Sequence, residues 1–343
     1  MNERKLATIR RIKEINPIPK ADMIEVATVN GWKVVVKKND FKVGDLCIYC
    51  EIDSFLPIID EFEFLRKSSY KKLDTGLEGF RLRTIKLRGQ ISQGIAIDIN
   101  TGYKIFKDGT PNLDMQWFEG LDVTNMLGII KYDPPLPACL SGIAKGYMPS
   151  FISKTDEERI QNLDEEFEIW KENNIDFYLT EKLDGASVTY YIRNDEFGVC
   201  SKNLEYLEDD KNTIWDVARD LDIENKLRTY GLNIALQGEI IGEKIQGNPY
   251  NLKGQTVKFF NIFNINTHTY LDLAMFIKTI NILELETVPF ILKNFKLLNS
   301  IDEMLILAEG KSILNPNKER EGLVIRSLDR TISFKIINNK YLL

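Results

Sequence analysis

The chain has 343 residues, 43% of them hydrophobic and 28% charged, with a formal net charge of −6; this excludes a disordered or fibrous protein and leaves room for two domains with separate cores. A single histidine, His268, excludes mechanisms that need two or more imidazoles, so the chemistry must run on lysine, carboxylates and added metal. No apolar run approaches the roughly 20 residues that span a bilayer, and the opening MNERKLATIRRIKEI lacks a signal-peptide core, so a soluble intracellular protein, cytoplasmic by default, is expected.

Residues 1–100 hold 18 Lys/Arg against 14 Asp/Glu, while the remainder holds 27 against 37. A basic first part joined to an acidic second part suits a protein that meets nucleic-acid phosphates through its first part. Between Ile24 and Ile52 the runs IEVATV, WKVVVK and LCIYCEI are separated by Asn30-Gly31 and by Val43-Gly44-Asp45, which predicts short strands and tight hairpins. Cys47 and Cys50 invite a zinc reading, but no second close ligand pair exists, Cys139 and Cys200 being far apart, so buried thiols are expected instead. After a longer connection at 53–78, the runs GFRLRTIKLRG and GIAIDI complete about five strands, a small OB-like β-barrel over residues 1–132. Arg81, Arg83, Lys86 and Arg88 lie in this block as candidate phosphate contacts, with a bulge needed to bring both pairs to one face.

The stretch Asp133-Pro134-Pro135-Leu136-Pro137, followed by Gly142, Gly146 and Pro149, predicts a linker over 133–150. Thr155 and Glu158 have capping-box spacing, which predicts a helix running to about Trp170. From Phe177 onward the strands FYLTEKL, ASVTYYIR, ALQGEII, VKFFNIF, GLVIRS and TISFKII alternate with helical stretches near 213–229, 270–282 and 301–309. Residues 151–343 therefore read as a second domain of antiparallel sheets and helices, and the whole chain as α+β.

Lys182-Leu183-Asp184-Gly185 lies between two predicted strands. Alone, this pattern is weak, because it arises by chance in roughly one chain of this length in ten. It is followed in order by Ser201-Lys202-Asn203, by Gly238-Glu239-Ile240-Ile241-Gly242, by the aromatic strand Phe259-Phe260-Asn261-Ile262-Phe263, by Glu321-Gly322-Leu323-Val324-Ile325-Arg326 and by Phe334-Lys335. In this order the six elements resemble the nucleotidyltransferase domain of ATP-dependent RNA ligases, DNA ligases and messenger-RNA capping enzymes. An OB-like region that precedes this domain, only eight residues after Lys335, and the segments RTIKLRGQISQG, KTDEERIQN and SFKIINNKYLL together resemble the RNA ligases first recognised in Deinococcus and Naegleria. Ser187 and Ile337 depart from a related branch, which has asparagine and lysine there.

The resemblance implies an ATP-dependent joining of RNA 3′-hydroxyl and 5′-phosphate ends, often at nicks in a duplex, with Lys182 as nucleophile and AMP carried on it. Such a lysine needs its pKa lowered by neighbouring positive charge or desolvation, a part assigned to Lys335 and to bound Mg2+ or Mn2+. Glu239 and Glu321 are hard oxygen donors suited to that metal. Glu181 is the expected acceptor for the adenine amino group, Asp184 for the ribose or metal shell, and Gly185 lets a phosphate approach closely. Lys202 is expected near the ribose, Arg159 near the outer phosphates or in a helix-surface ion pair, and Phe260 against the adenine, since alternation sets it opposite both Phe259 and Phe263. No membrane and no obligate protein partner is expected. Competing readings are an RNA-binding protein that no longer reacts, a ligase for nicked DNA, and a GTP-dependent capping enzyme.

Overall fold

The computed structural model describes residues 5–73, 76–105, 117–132 and 142–342. Its contacts divide the chain into two compact units, 1–136 and 137–342. Among the described residues no helix is long and apolar enough to cross a membrane.

The first unit is built on a five-stranded antiparallel sheet in the order Ile95–Asp98, Leu46–Cys50, Ala7–Pro17, Ile24–Val29, Trp32–Lys37. Ala7–Pro17, which sequence reasoning missed, pairs through its first half with Leu46–Cys50 and through its second half with Ile24–Val29, with an irregular step between Ile12 and Glu14. Such a step bends and twists a strand, and here it curls the sheet. The expected hairpin closes at Asn30 and Gly31, both with left-handed φ (45° and 77°), the geometry of a type I′ turn. One face of the sheet buries Ile9, Ile48, Cys50 and Phe80, the other Ile12, Val29, Trp32 and Cys47. Cys47 and Cys50 thus point into separate cores. Burial pushes the Cys47 thiol up to about 12 and the Cys50 thiol up as well, so both stay protonated.

The connection 53–78 is not bare loop, since it contributes Ser54–Leu56 and Tyr70–Lys72 to a second sheet ordered Ile130–Lys131, Ser54–Leu56, Glu78–Arg81, Tyr70–Lys72. The run GFRLRTIKLRG is likewise two strands: Glu78–Arg81 joins that sheet, whereas Thr84–Leu87 forms a separate ribbon with Gln90–Gln93. Cys139 and the Asp133–Pro137 part of the expected linker lie outside the described residues. The linker does not extend to 150, because Ala144–Tyr147 is the edge strand of a sheet in the second unit.

That unit holds two sheets. Seven strands are ordered Ala144–Tyr147, Leu204–Tyr206, Glu196–Ser201, Ala186–Arg193, Ile234–Gly242, Gln255–Asn264, Thr269–Tyr270; five are ordered Glu158–Arg159, Ser333–Ile337, Gly322–Ser327, Phe177–Lys182, Phe290–Phe295. Alternation sorts each sheet into an apolar face and a polar one. Val188, Tyr190, Leu236, Phe259 and Ile262 pack with Trp215, Leu227 and Phe276 from the helices Thr213–Asp220, Ile223–Tyr230 and Leu273–Ile282. Phe177, Leu179, Leu323, Ile325 and Phe334 pack with Phe167 and Met304 from the helices Asp164–Glu172 and Ile301–Leu307. Each such fully buried side chain stabilises the unit by roughly 1.5–3 kcal/mol, which offsets the cost of a polar interior on the opposite faces.

Two helix expectations need correction. Thr155 caps nothing: residues 155–157 have no regular structure and lead into the short strand Glu158–Arg159, Thr155 shares a 3.1 Å hydroxyl contact with Ser187, and the helix begins only at Asp164 without a side-chain cap. The stretch 213–229 is two helices, broken at Leu221-Asp222, where Asp222 adopts a left-handed φ of 53°.

Candidate active site

The polar faces of the two sheets enclose an open pocket of about 200 Å³. In the five-stranded sheet, Thr180 pairs with Val324 and Val324 with Lys335, so these three stand abreast on the pocket face. Lys182 follows two residues beyond Thr180, and Arg326 two beyond Val324. The register that sets Lys182 opposite Gly322 brings Glu321 to the nucleophile candidate: Lys182 Nζ donates to Glu321 Oε1 at 2.8 Å and to Oε2 at 2.7 Å. From the seven-stranded sheet come Ser187, Lys202, Glu239 and Phe260.

Gly185 immediately precedes the return strand Ala186–Arg193, at a point of close approach. A Cβ there would sit 2.3 Å from the Ile240 carbonyl oxygen and 2.9 Å from Glu239 Cγ, so only glycine lets the Lys182 loop lie against Glu239. Because the first obstacle is backbone, Gly185→Ala should cost about 1–3 kcal/mol, a melting temperature lower by roughly 2–10 °C; a thermal scan showing no loss would contradict the close approach.

The charges are strongly coupled. Burial pushes Glu239 up to about 7, with Glu321 and Asp184 adding and Lys182 and the Gly185 backbone N–H opposing. Burial also raises Glu321, against the pull of Lys182. Lys335 moves the other way, down to about 8, through burial and then the positive charges of Arg159 and Lys182. Two half-buried carboxylates held above their usual range form a site that a divalent cation would relieve, and their hard oxygens suit Mg2+ or Mn2+. No cluster of three or more potential ligands exists among the described residues, so Glu239 and Glu321 would share such an ion with substrate oxygens and water.

Glu181 is buried, and burial raises its pKa; Oε2 accepts from the Ile313 backbone N–H at 2.8 Å, while Oε1, also buried, has no hydrogen-bond partner. It lines the pocket, so a donor on a bound base would satisfy it. Phe260 also lines the pocket, for a reason that alternation alone misses. Gln237 pairs with Asn261 and Gly238 with Phe259, so Phe260 is the extra residue of a bulge. It lies opposite Phe259 as expected but shares its face with Phe263, which joins Tyr191 and Ala235 in a small inner core.

Other expectations shift. Lys202 is ion-paired to Asp156 at 2.5 Å on the pocket wall. Arg159 is not on a helix surface; it pairs alongside Lys335 in a short parallel strand and does not line the pocket. Asp184 does not line it either: its backbone N–H donates to Tyr250 Oη at 2.6 Å, and its carboxylate accepts a hydrogen bond from Tyr341 Oη. Sequence reasoning missed Tyr250, Tyr341 and the role of Arg326, whose buried guanidinium donates to Thr180 Oγ1 at 3.0 Å and Glu157 Oε1 at 3.2 Å and lies 5.5 Å from the Phe260 ring centre. Its place in the Glu321–Arg326 motif was the available signal; the tyrosines, 66 and 157 residues from Asp184, offered none.

In the first unit, Arg81 lies 4.3 Å from the Tyr132 ring centre and 3.7 Å from Asp53, while Arg83, Lys86 and Arg88 are exposed, Arg83 just before the separate ribbon, Lys86 on it and Arg88 in its turn. The four cations therefore do not share one strand.

A family description for an OB-fold domain matches residues 6–99, and one for RNA ligase matches residues 175–340. No curated protein matches. Among solved structures, an aspartate-to-alanine mutant of Naegleria gruberi RNA ligase without ligand is 42% identical, covering 100% of this chain and 98% of that chain with a TM-score of 0.81. A lysine-to-alanine mutant of that ligase with ATP and manganese is 41% identical, covering 98% of each chain with a TM-score of 0.80. A glutamate-to-alanine mutant with AMP and manganese is 41% identical, covering 99% of this chain and 98% of that one with a TM-score of 0.80.

Proposed function

Because this chain belongs to the RNA ligase family, we propose that it joins the 3′-hydroxyl and 5′-phosphate ends of RNA, at nicks in a duplex, using ATP and carrying AMP covalently on Lys182. The observation that carries this reading is Lys182 itself, an amine at the end of a central strand, hydrogen-bonded to Glu321 and facing a pocket that also holds Glu239, Lys335 and Phe260. The residues substituted in the Naegleria structures include a lysine, an aspartate two positions later, a glutamate 57 positions later, and a glutamate and lysine 14 apart; Lys182, Asp184 and Glu239, and the pair Glu321 and Lys335, repeat those spacings.

In the first step Lys182 Nζ attacks the α-phosphorus of ATP, forming a P–N bond and releasing pyrophosphate. The amine must first lose a proton, and Glu321, hydrogen-bonded to it and raised by burial, is the acceptor in place. Lys335 stabilises the charge that develops on the phosphoryl oxygens. Glu239 and Glu321 would hold a divalent ion, which would supply further charge neutralisation when bound. Phe260 and Val324 line the pocket as the walls for adenine, Glu181 Oε1 accepts from its amino group, and Lys202 reaches the ribose. Arg159 contributes positive charge toward the outer phosphates through its place beside Lys335. AMP then passes to the 5′-phosphate of RNA, and the 3′-hydroxyl attacks that phosphate and expels AMP. Arg81, Arg83, Lys86 and Arg88 contribute the phosphate contacts of the first unit, the three exposed ones directly.

Lys335 gives this reading a pH dependence. Its proton is present below about 8 and lost above, and only the protonated form attracts a triphosphate. ATP affinity should therefore fall as pH rises through about 8, whereas Lys335→Met should bind more weakly and without that slope; titrations of ATP binding across the window decide it. The substrate is tested by sealing nicks whose 3′-hydroxyl strand ends in ribonucleotides or deoxyribonucleotides, with ATP or GTP. Faster sealing of the ribonucleotide end, with ATP alone, is expected; equal rates on an all-DNA nick would overturn the RNA preference.

A further inference from the structure

The loop that carries Lys182 is tied down from two distant parts of the second unit. Tyr250 Oη accepts the Asp184 backbone N–H at 2.6 Å, and Gln246 Nε2 donates to the Gly185 carbonyl at 3.3 Å, both from the loop that follows the Glu239 strand. The Asp184 carboxylate is held separately, by the Tyr341 hydroxyl. Tyr341 is itself placed by Asn338, whose carbonyl accepts the Tyr341 backbone N–H at 3.1 Å. Asn338 is fully buried; its backbone N–H donates to the Glu321 carbonyl at 2.9 Å and its side chain to the Arg320 carbonyl at 3.0 Å. A short chain of hydrogen bonds therefore runs from Asp184 through Tyr341 and Asn338 to Glu321. It joins the two backbones whose side chains meet in the Lys182–Glu321 pair.

We propose that Tyr341 is a positioning residue for lysine adenylation: by holding Asp184 it fixes the Lys182 loop against the Glu321 strand, so that the amine stands at the mouth of the nucleotide pocket. This rests on the reading of Lys182 as the nucleophile. Neither Asp184 nor Tyr341 lines the pocket, so their effect falls on the reacting geometry and not on nucleotide binding. Burial, together with Asp184, keeps the Tyr341 hydroxyl above its usual range, and it remains a donor at neutral pH. A hydrogen bond to a charged carboxylate is the strong kind, and removing its donor leaves a charge without its partner.

The test is the rate of labelled AMP transfer from ATP to the full-length protein in wild type, Tyr341→Phe, Asp184→Asn and the double variant. Tyr341→Phe is expected to slow the reaction about tenfold at saturating ATP while the KM for ATP stays within about twofold, and the double variant is expected to be no slower than Asp184→Asn alone. A wild-type rate in Tyr341→Phe, a loss confined to KM, or effects that multiply in the double variant would each overturn the proposal. So would a fall in melting temperature with activity regained on cooling, which would make Tyr341 merely structural. A wild-type protein that takes up no label would instead remove the lysine reading on which the proposal stands.

Discussion

Lys182→Met is expected to retain no AMP after incubation with α-labelled ATP and divalent metal, under conditions in which the wild type keeps the label through denaturation. Methionine fills much of the same space without an amine, so the fold and the pocket persist while the nucleophile is gone. On the reading of Lys182 as the nucleophile the loss should be complete within detection: Lys335, on the same pocket face, is assigned to the phosphoryl oxygens, and Lys202 is ion-paired to Asp156. The same variant should fail to seal RNA with a 5′-phosphate yet still seal RNA that already carries AMP on that phosphate, since the last step needs no lysine nucleophile. Label on the variant would move the nucleophile to another residue; loss of both activities would mean that Lys182 also serves the final step.

Glu321→Ala is expected to separate binding from chemistry. The carboxylate accepts both hydrogen bonds from Lys182 and interacts with Lys335, so its removal leaves Lys182 without its nearest counter-charge and takes a negative charge from the surroundings of Lys335. In the absence of divalent metal, ATP should then bind at least as tightly as to wild type, because a negative charge close to the triphosphate is gone. Adenylation should nevertheless fall by roughly two to three orders of magnitude, with a proton acceptor and a metal ligand lost together. Calorimetric ATP titration in chelator, set beside single-turnover labelling in magnesium, measures the two effects apart. Weaker metal-free binding would indicate that Glu321 mainly builds the pocket, and an unchanged rate would remove it from the chemistry.

The residues of the site were far more legible than the way they are held. Lys182, Glu239, Glu321 and Lys335 could be singled out because each stands in a short motif in or beside a strand, whose spacing survives without knowledge of the fold. The strand Ala7–Pro17 was hidden because Arg10, Arg11 and Lys13 interrupt its alternation, and its two halves face different partners. Thr155 and Glu158 mimicked a helix start, but the Thr155 hydroxyl meets Ser187 on another strand, a contact no local pattern contains. The bulge at Phe260 depends on how Ile234–Gly242 pairs with its neighbour, and one unpaired residue reverses every face assignment beyond it. Arg326 was read as the end of a motif, although its charge is buried behind the aromatic ring it supports.

The strand Phe177–Lys182 lies between Phe290–Phe295 and Gly322–Ser327, both supplied more than 100 residues later in the chain. At a ribosomal pace of about 5–20 residues per second, it waits on the order of ten seconds for its first neighbour and longer for the second. Throughout that interval Phe177 and Leu179 have no sheet to cover them, and the strand offers two open edges to any other extended segment. The lysine at its tip is meanwhile an ordinary solvated amine, with neither Glu321 nor Lys335 yet made. On the reading of Lys182 as the nucleophile, a nascent chain is therefore silent toward ATP until Gly322–Ser327 and Ser333–Ile337 have emerged, and reactivity comes late in synthesis.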